Sequence, residues 1–316
     1  MTKFKKIFFI FFLTTYFIVG SLNSINSGIS FDERHEEANW NFHTNLIKQL
    51  SDTIFYQKKF DKNKFEKEVQ SFVGYGIGFQ IISQPIQSIL KNILILDKNL
   101  DDYGAKLLAK HFVVFLFFFF SGFFFYLILK KLIDNESFCI LGLILYLTYP
   151  YLFGQSMFSP KDVPFMSIWL LCTYVSFILF EKIIEENNLK FQYVIVFSIC
   201  SAYLLSIRIA GSLIFLQYLI TLIIYLNIYK INFIKFLTSY YKHFLIFFIF
   251  LAFFIFLFYP ILWVNPFLLI QTFEINASHF NNVGTITLGE IMYSKDLPST
   301  YLIIWFLVKI PLLIII

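Results

Sequence analysis

The sequence predicts an all-α protein, a polytopic transmembrane helical bundle of about eight spans whose long first outer loop carries amphipathic helices. Three observations predict it. The chain is 58% hydrophobic and only 14% charged, with mean hydropathy +0.72, whereas soluble domains run roughly 45–50% apolar and about a quarter charged. The apolar residues arrive in runs long enough to cross a bilayer. The lysines gather on alternate connections. Phe alone supplies 45 of the 316 residues, and a soluble globule of this length has too little interior to hold so much apolar surface.

A spanning helix needs about 20 mainly apolar residues. Such runs are Ile7 to Leu22, Phe112 to Leu129, Phe138 to Phe153, Val163 to Phe180, Phe191 to Ile207, Ser212 to Tyr229, Phe244 to Leu262 and Tyr301 to Ile316. The first has a basic start and an apolar core, as a signal peptide does. It lacks an A-x-A cleavage pattern after it and reads as an uncleaved anchor. Residues 1–316 form one transmembrane unit, and residues 23–110 are a long loop within it. In that loop Trp40, Ile47, Leu50 and Ile54 recur at helical spacing among polar residues, which predicts an amphipathic helix at the interface. Val73 to Leu96 is broken by Gly74, Gly76, Gly78 and Pro85 and reads as interfacial. The apolar run Leu312 to Ile316 has no polar stop, so the sequence is expected to be the first part of a longer protein.

Lysines set the orientation. Lys3, Lys5 and Lys6 precede the first span, Lys130 and Lys131 follow the second, Lys182 and Lys190 follow the fourth, and Lys230, Lys235 and Lys242 follow the sixth. A cytoplasmic N-terminus puts them all inside and leaves Lys161, Arg208 and Lys295 on the outer connections. The polar loops are then expected on the non-cytoplasmic face. The net charge of +5 is a topological bias and not a nucleic-acid footprint. Cys139, Cys172 and Cys200 each lie inside an apolar run without metal-ligand spacing.

Four polar clusters fall at the outer ends of spans. Phe31-Asp32-Glu33-Arg34-His35-Glu36-Glu37 follows the first span. Ionisable groups beside a bilayer are costly and often functional, and Asp32 or Glu33 could act as a general base toward an acceptor hydroxyl. Both also suit the start of a hydrated helix, where the macrodipole favours acids. Pro160 and Pro164 bracket Lys161 and Asp162. Lys161 could hold a phosphate as a compact cation, and Asp162 could orient Lys161 or a sugar hydroxyl; a short loop that needs charges to stay wet accounts for the pair equally well. Arg208 stands alone between Lys190 and Lys230 and suits a bidentate anion, or snorkels. His279 is a weaker candidate for substrate binding in the loop Trp263 to Pro298. His35 and His43 lie too far apart for a tight metal pair, and no metal or cofactor is expected.

The Asp32-Glu33 dyad after the first span, the Pro160-Lys161-Asp162-x-Pro164 turn, Tyr259-Pro260-x-x-Trp263-x-Asn265-Pro266, Asp296-Leu297-Pro298-x-x-Tyr301 and Lys309-Ile310-Pro311 together resemble the GT-C class of lipid-carrier glycosyltransferases. The likeness is to family 39, the protein mannosyltransferase and aminoarabinose transferase type. The resemblance implies a polyprenyl-phosphate sugar donor and inverting transfer on the periplasmic face to a lipid, glycan or protein acceptor. It implies Asp32 as catalytic base with Glu33 beside it, donor phosphate held by Lys161 and Arg208, and no metal. Members of the family have more spans and a further C-terminal portion. A transporter or flippase of lipid-linked saccharides would instead place charges near the bilayer midplane. A noncatalytic subunit of an envelope-assembly complex would use the same clusters only as solvated loops.

Overall fold

The computed structural model describes residues 3–98, 100–185, 189–278 and 284–310. The chain is almost wholly helical. In order it forms α1 (Lys3–Ser24), α2 (Phe31–Tyr56), α3 (Lys62–Phe72), α4 (Gly78–Lys98), α5 (Asp102–Leu132), α6 (Glu136–Thr148), α7 (Pro150–Gln155), α8 (Asp162–Glu185), α9 (Phe191–Ile207), α10 (Ile214–Ile228), α11 (Phe233–Phe258), α12 (Leu268–Ser278) and α13 (Tyr301–Lys309). A small antiparallel hairpin, β1 (Gly284–Thr287) and β2 (Glu290–Tyr293), precedes α13. Its two-residue turn places Leu288 at φ 54° and Gly289 at φ 87°, the pair of left-handed positions that matches strand twist.

Among the described residues five helical segments are long and apolar enough to cross a membrane: 6–24, 102–132, 162–183, 209–228 and 233–258. They coincide with five of the runs expected from sequence. The run at 138–153 is instead two helices, of 13 and 6 residues, parted at Tyr149-Pro150 because proline cannot donate to the preceding turn. The run at 191–207 is a 17-residue helix. The last run is described only as far as Ile310, within and just beyond α13. Pro311 lies outside the described residues.

α5 is the centre of the bundle and packs against α1, α4, α6 and α8, while α9 joins α8 to α11. Small residues bring the helices close, as is usual where lipid offers no hydrophobic drive for association. The Phe115 ring lies over Gly20 of α1, so close that a Cβ there would fall 2.1 Å from its Cζ. Polar side chains bond across the contacts. Tyr16 donates to the Leu147 carbonyl at 2.6 Å, Trp169 donates to Gln217 at 2.7 Å, and Gln217 donates to Thr173 at 2.8 Å. The outward surface is phenylalanine, isoleucine and leucine, including Phe120, Phe123, Leu216, Ile220, Phe248 and Phe253.

The loop between α1 and α5 is well built. α2 supplies the helix anticipated around Trp40, but its buried apolar positions are Phe42 and Leu46, packed with Phe65 and Val69 of α3, whereas Ile54 of the expected stripe is 73% exposed. Residues 73–77 then press onto the end of α9. A Cβ on Gly76 would stand 2.4 Å from the Ser206 carbonyl oxygen, and one on Gly78 would stand 2.0 Å from Ser206 Oγ. Only glycine permits that approach. α12 closes the same end, with Thr272 donating to the Val73 carbonyl at 2.7 Å and Asn276 to that of Gly74 at 3.2 Å.

Candidate functional site

Three carboxylates on the first two turns of α2 are buried, and each meets donors brought by other elements. Glu33, Glu36 and Glu37 are 0%, 5% and 2% exposed. Their spacings of three and four residues put them on neighbouring rows of one helical face. Buried charge at this density persists only where it is paired.

Glu33 closes the N-terminus of α2, accepting from the Ser30 backbone N–H at 2.5 Å, as in a capping box. Its other oxygen lies 2.8 Å from His111 Nε2 on α5. His111 Nδ1 in turn lies 2.8 Å from Ser27 Oγ, whose oxygen is also within 2.9 Å of the Met157 carbonyl. This chain of contacts fastens the end of α1, the start of α2, the buried part of α5 and the approach to α8.

Glu36 receives Lys161 Nζ at 2.9 Å on one oxygen and the Gln80 side-chain amide on the other. Glu37 receives Lys106 at 2.6 Å, Lys110, and Gln84 at 3.3 Å. Burial pushes the Glu37 carboxyl up, but Lys110 and Lys106 outweigh burial and hold it below the ordinary carboxylate range. Lys161 also sits 4.2 Å from the centre of the Tyr75 ring, a cation over an aromatic face. His43, one turn further along α2 from Asn39, donates through Nε2 to the Tyr75 carbonyl at 3.2 Å. Burial lowers its pKa to about 4.

A second pair lies more openly beside the first. Asp162 opens α8, where the helix dipole favours an anion. Its Oδ1 is 2.8 Å from an Arg208 terminal nitrogen at the end of α9, with the two side chains 58% and 40% exposed. Ser159 donates to the other oxygen at 3.4 Å. Consecutive residues therefore tie α8 to two elements, Lys161 to α2 and Asp162 to α9. The guanidinium fork carries five donors, so engagement of one terminal nitrogen leaves capacity for a second anion.

The structure thus brings Lys161, Asp162 and Arg208 to one end of the bundle. Asp32 and Glu33 arrive there with α2 but occupy different environments. Asp32 is exposed on the first turn, one turn before the Glu36 that holds Lys161. Glu33 is fully enclosed by its cap and by His111. His279 lies outside the described residues. Lys295 and Asp296 are exposed in a short turn after the hairpin.

Sequence reasoning passed over Lys106, Lys110, His111, Gln80, Gln84 and Tyr75. A signal existed for several of them. Lys106 and Lys110 are four apart, and Gln80, Gln84 and Gln87 repeat at four and three residues within an isoleucine-rich stretch. That is a polar stripe at helical spacing. Nothing local indicates that these stripes face Glu36 and Glu37.

Compared with protein-family profiles, with characterised proteins and with solved structures, the chain matches none.

Proposed function

We propose that this chain is an inverting GT-C type glycosyltransferase, taking a sugar from a polyprenyl-phosphate donor and passing it to an acceptor on the periplasmic face of a bacterial inner membrane. One observation carries the reading: an open carboxylate, Asp32, shares an end of the bundle with Lys161 and with the open Arg208–Asp162 pair. Transfer from a lipid phosphate has two demands. Negative charge builds on the departing phosphate, and the acceptor hydroxyl has to lose a proton. Fixed cations in a partly dehydrated site answer the first, and a carboxylate within reach of the hydroxyl answers the second.

In this reading Asp32 takes the acceptor proton, and Arg208 and Lys161 receive the phosphate. Asp162 orients Arg208, and Glu36 sets the position of Lys161. The α6–α7 pair, α9 and the segment opened by α13 join the five long helices to make eight crossings, with the lysine-rich connections in the cytoplasm. The lipid tail then reaches the site sideways from the bilayer.

The test uses full-length protein in proteoliposomes with a panel of polyprenyl-phosphate sugars. Transfer of one sugar is expected, and Asp32→Asn should abolish turnover while donor binding persists. Undiminished turnover in Asp32→Asn, or movement of intact donor between leaflets with no transfer, rejects the reading; the latter favours a flippase.

A further inference from the structure

The helix α4 is inside out for a water-soluble surface. Beside Phe79 and Leu94, its buried positions are polar: Gln80, Ser83, Gln84 and Gln87, all 8% exposed or less. Its exposed positions include Ile82 at 43%, Ile89 at 70%, Ile93 at 57% and Leu96 at 87%. The three glutamines of this face reach partners, while Ser83 Oγ and Gln87 Oε1 are buried without one. Gln80 reaches Glu36, Gln84 reaches Glu37, and Gln87 donates to the Lys106 carbonyl at 3.1 Å. A helix in water turns the other way, with its apolar stripe inward. Polar groups inward and branched aliphatics outward is the arrangement favoured in hydrocarbon, where polar groups find partners only inside the protein.

The position of α4 agrees. It runs antiparallel along α5, a helix long enough to cross the bilayer. At its first turn Phe79 meets Phe117, ring centres 5.4 Å apart, well inside the apolar part of α5. At its far end Lys91 pairs with Asp102 at 2.7 Å, beside the exposed Tyr103, residues suited to the headgroup level. The isoleucine stripe is exposed alongside α5, which further along exposes Phe120 and Phe123. At ~1.5 Å per residue, the 31 residues of α5 extend through the hydrocarbon and into the headgroups.

We infer that α4 is inserted in the bilayer, with the Ile82–Ile89–Ile93–Leu96 stripe in contact with lipid acyl chains and its Phe79 end deepest. The partner is the bilayer. α4 then screens the Glu36, Glu37, Lys106 and Lys110 cluster from lipid, its glutamines lining the cluster and its isoleucines facing out. The inference holds whether or not the protein transfers a sugar.

Variants Ile82→Cys, Ile89→Cys and Ile93→Cys, each adding one cysteine to the full chain and spin-labelled in phosphatidylethanolamine–phosphatidylglycerol liposomes, test it. Unsubstituted protein gives the background from Cys139, Cys172 and Cys200. Phe123→Cys serves as the lipid reference and Lys64→Cys as the water reference, and gel filtration in detergent confirms folding of each. Collisions with O2 should exceed those with Ni(II)-EDDA severalfold at all three α4 sites, as at Phe123→Cys, with the ratio rising from Ile93 to Ile82. Ni(II)-EDDA accessibility equal to that of Lys64→Cys overturns the inference. So does immobilisation with exclusion of both reagents, which would mean that protein covers the stripe.

Discussion

Lys161 Nζ stands 2.9 Å from Glu36 Oε1 and 4.2 Å from the centre of the Tyr75 ring, so one ammonium joins the start of α8 to α2 and to the segment before α4. The two charged side chains are only 11% and 6% exposed. Removing one member of such a pair strands the other, at a cost of roughly 3–5 kcal/mol for buried pairs. Lys161→Met and Glu36→Gln are each expected to lower thermal stability in detergent. The double variant should be less destabilised than the sum, with a coupling of about 1–3 kcal/mol. Strict additivity in that cycle would show that the pair contributes nothing.

The Arg208–Asp162 pair differs because both side chains are open, 40% and 58% exposed. Exposed pairs contribute about 0–1 kcal/mol, so Asp162→Asn should barely move the melting temperature. Its effect should appear in ligand binding. Arg208→Lys keeps the charge and loses the fork. On the proposed function, polyprenyl-phosphate binding to this variant weakens by roughly tenfold, the scale of one lost charge-assisted hydrogen bond. Unchanged affinity would remove Arg208 from the phosphate site.

His43 makes stability acid-sensitive. It is buried, its Nε2–H donates to Tyr75, and its pKa falls from 6.5 to about 4. The unfolded chain binds a proton below pH 6.5 that the folded chain refuses, so this group costs the protein nothing above that pH and destabilises it increasingly as pH falls toward 4. The full penalty is on the order of 3 kcal/mol. Glu37, depressed below its ordinary 4.5, stabilises the fold above that pH and loses its contribution only as pH falls through its folded value. The window from pH 6.5 to 4.5 lies above the range of Glu37, so a comparison with His43→Gln across it reads His43. Melting curves across it should slope less steeply for His43→Gln, and identical slopes would refute the assignment.

Gly76→Ala directs a methyl group at the Ser206 carbonyl, 2.4 Å away. Backbone cannot rotate aside as a side chain can, so the segment before α4 must lift from α9. Overpacking of this kind costs about 1–3 kcal/mol. A lowered melting temperature is expected, with faster proteolysis within residues 23–110. Gly28→Ala, where a Cβ meets nothing within 4 Å, is the matched control and should behave as the parent does.

Much of the architecture was legible in the sequence because hydropathy and helical period are local properties. The runs around Ile7, Phe112, Val163, Ser212 and Phe244 became long apolar helices, and Trp40 marked another helix. The run at 138–153 was harder, since Tyr149-Pro150 divides it without changing its hydropathy. Asp32, Lys161, Asp162 and Arg208 stood out as charges at the ends of apolar runs. Glu36, Glu37, Lys106 and Lys110 did not, because each looks like an ordinary solvated charge until its partner is known.

By itself the sequence determined that the chain is helical, lipid-compatible and polar at the ends of its spans, since burial in a bilayer is decided residue by residue through transfer energy. Only the tertiary structure decided which of two adjacent acids is open and which is enclosed, Asp32 or Glu33, and which cation each carboxylate holds. The physical reason is that charge pairing depends on distance between groups far apart in the chain, Glu37 with Lys106 and Lys110, Asp162 with Arg208. Those distances are set by how α2, α4, α5, α8 and α9 pack and not by any residue's own chemistry.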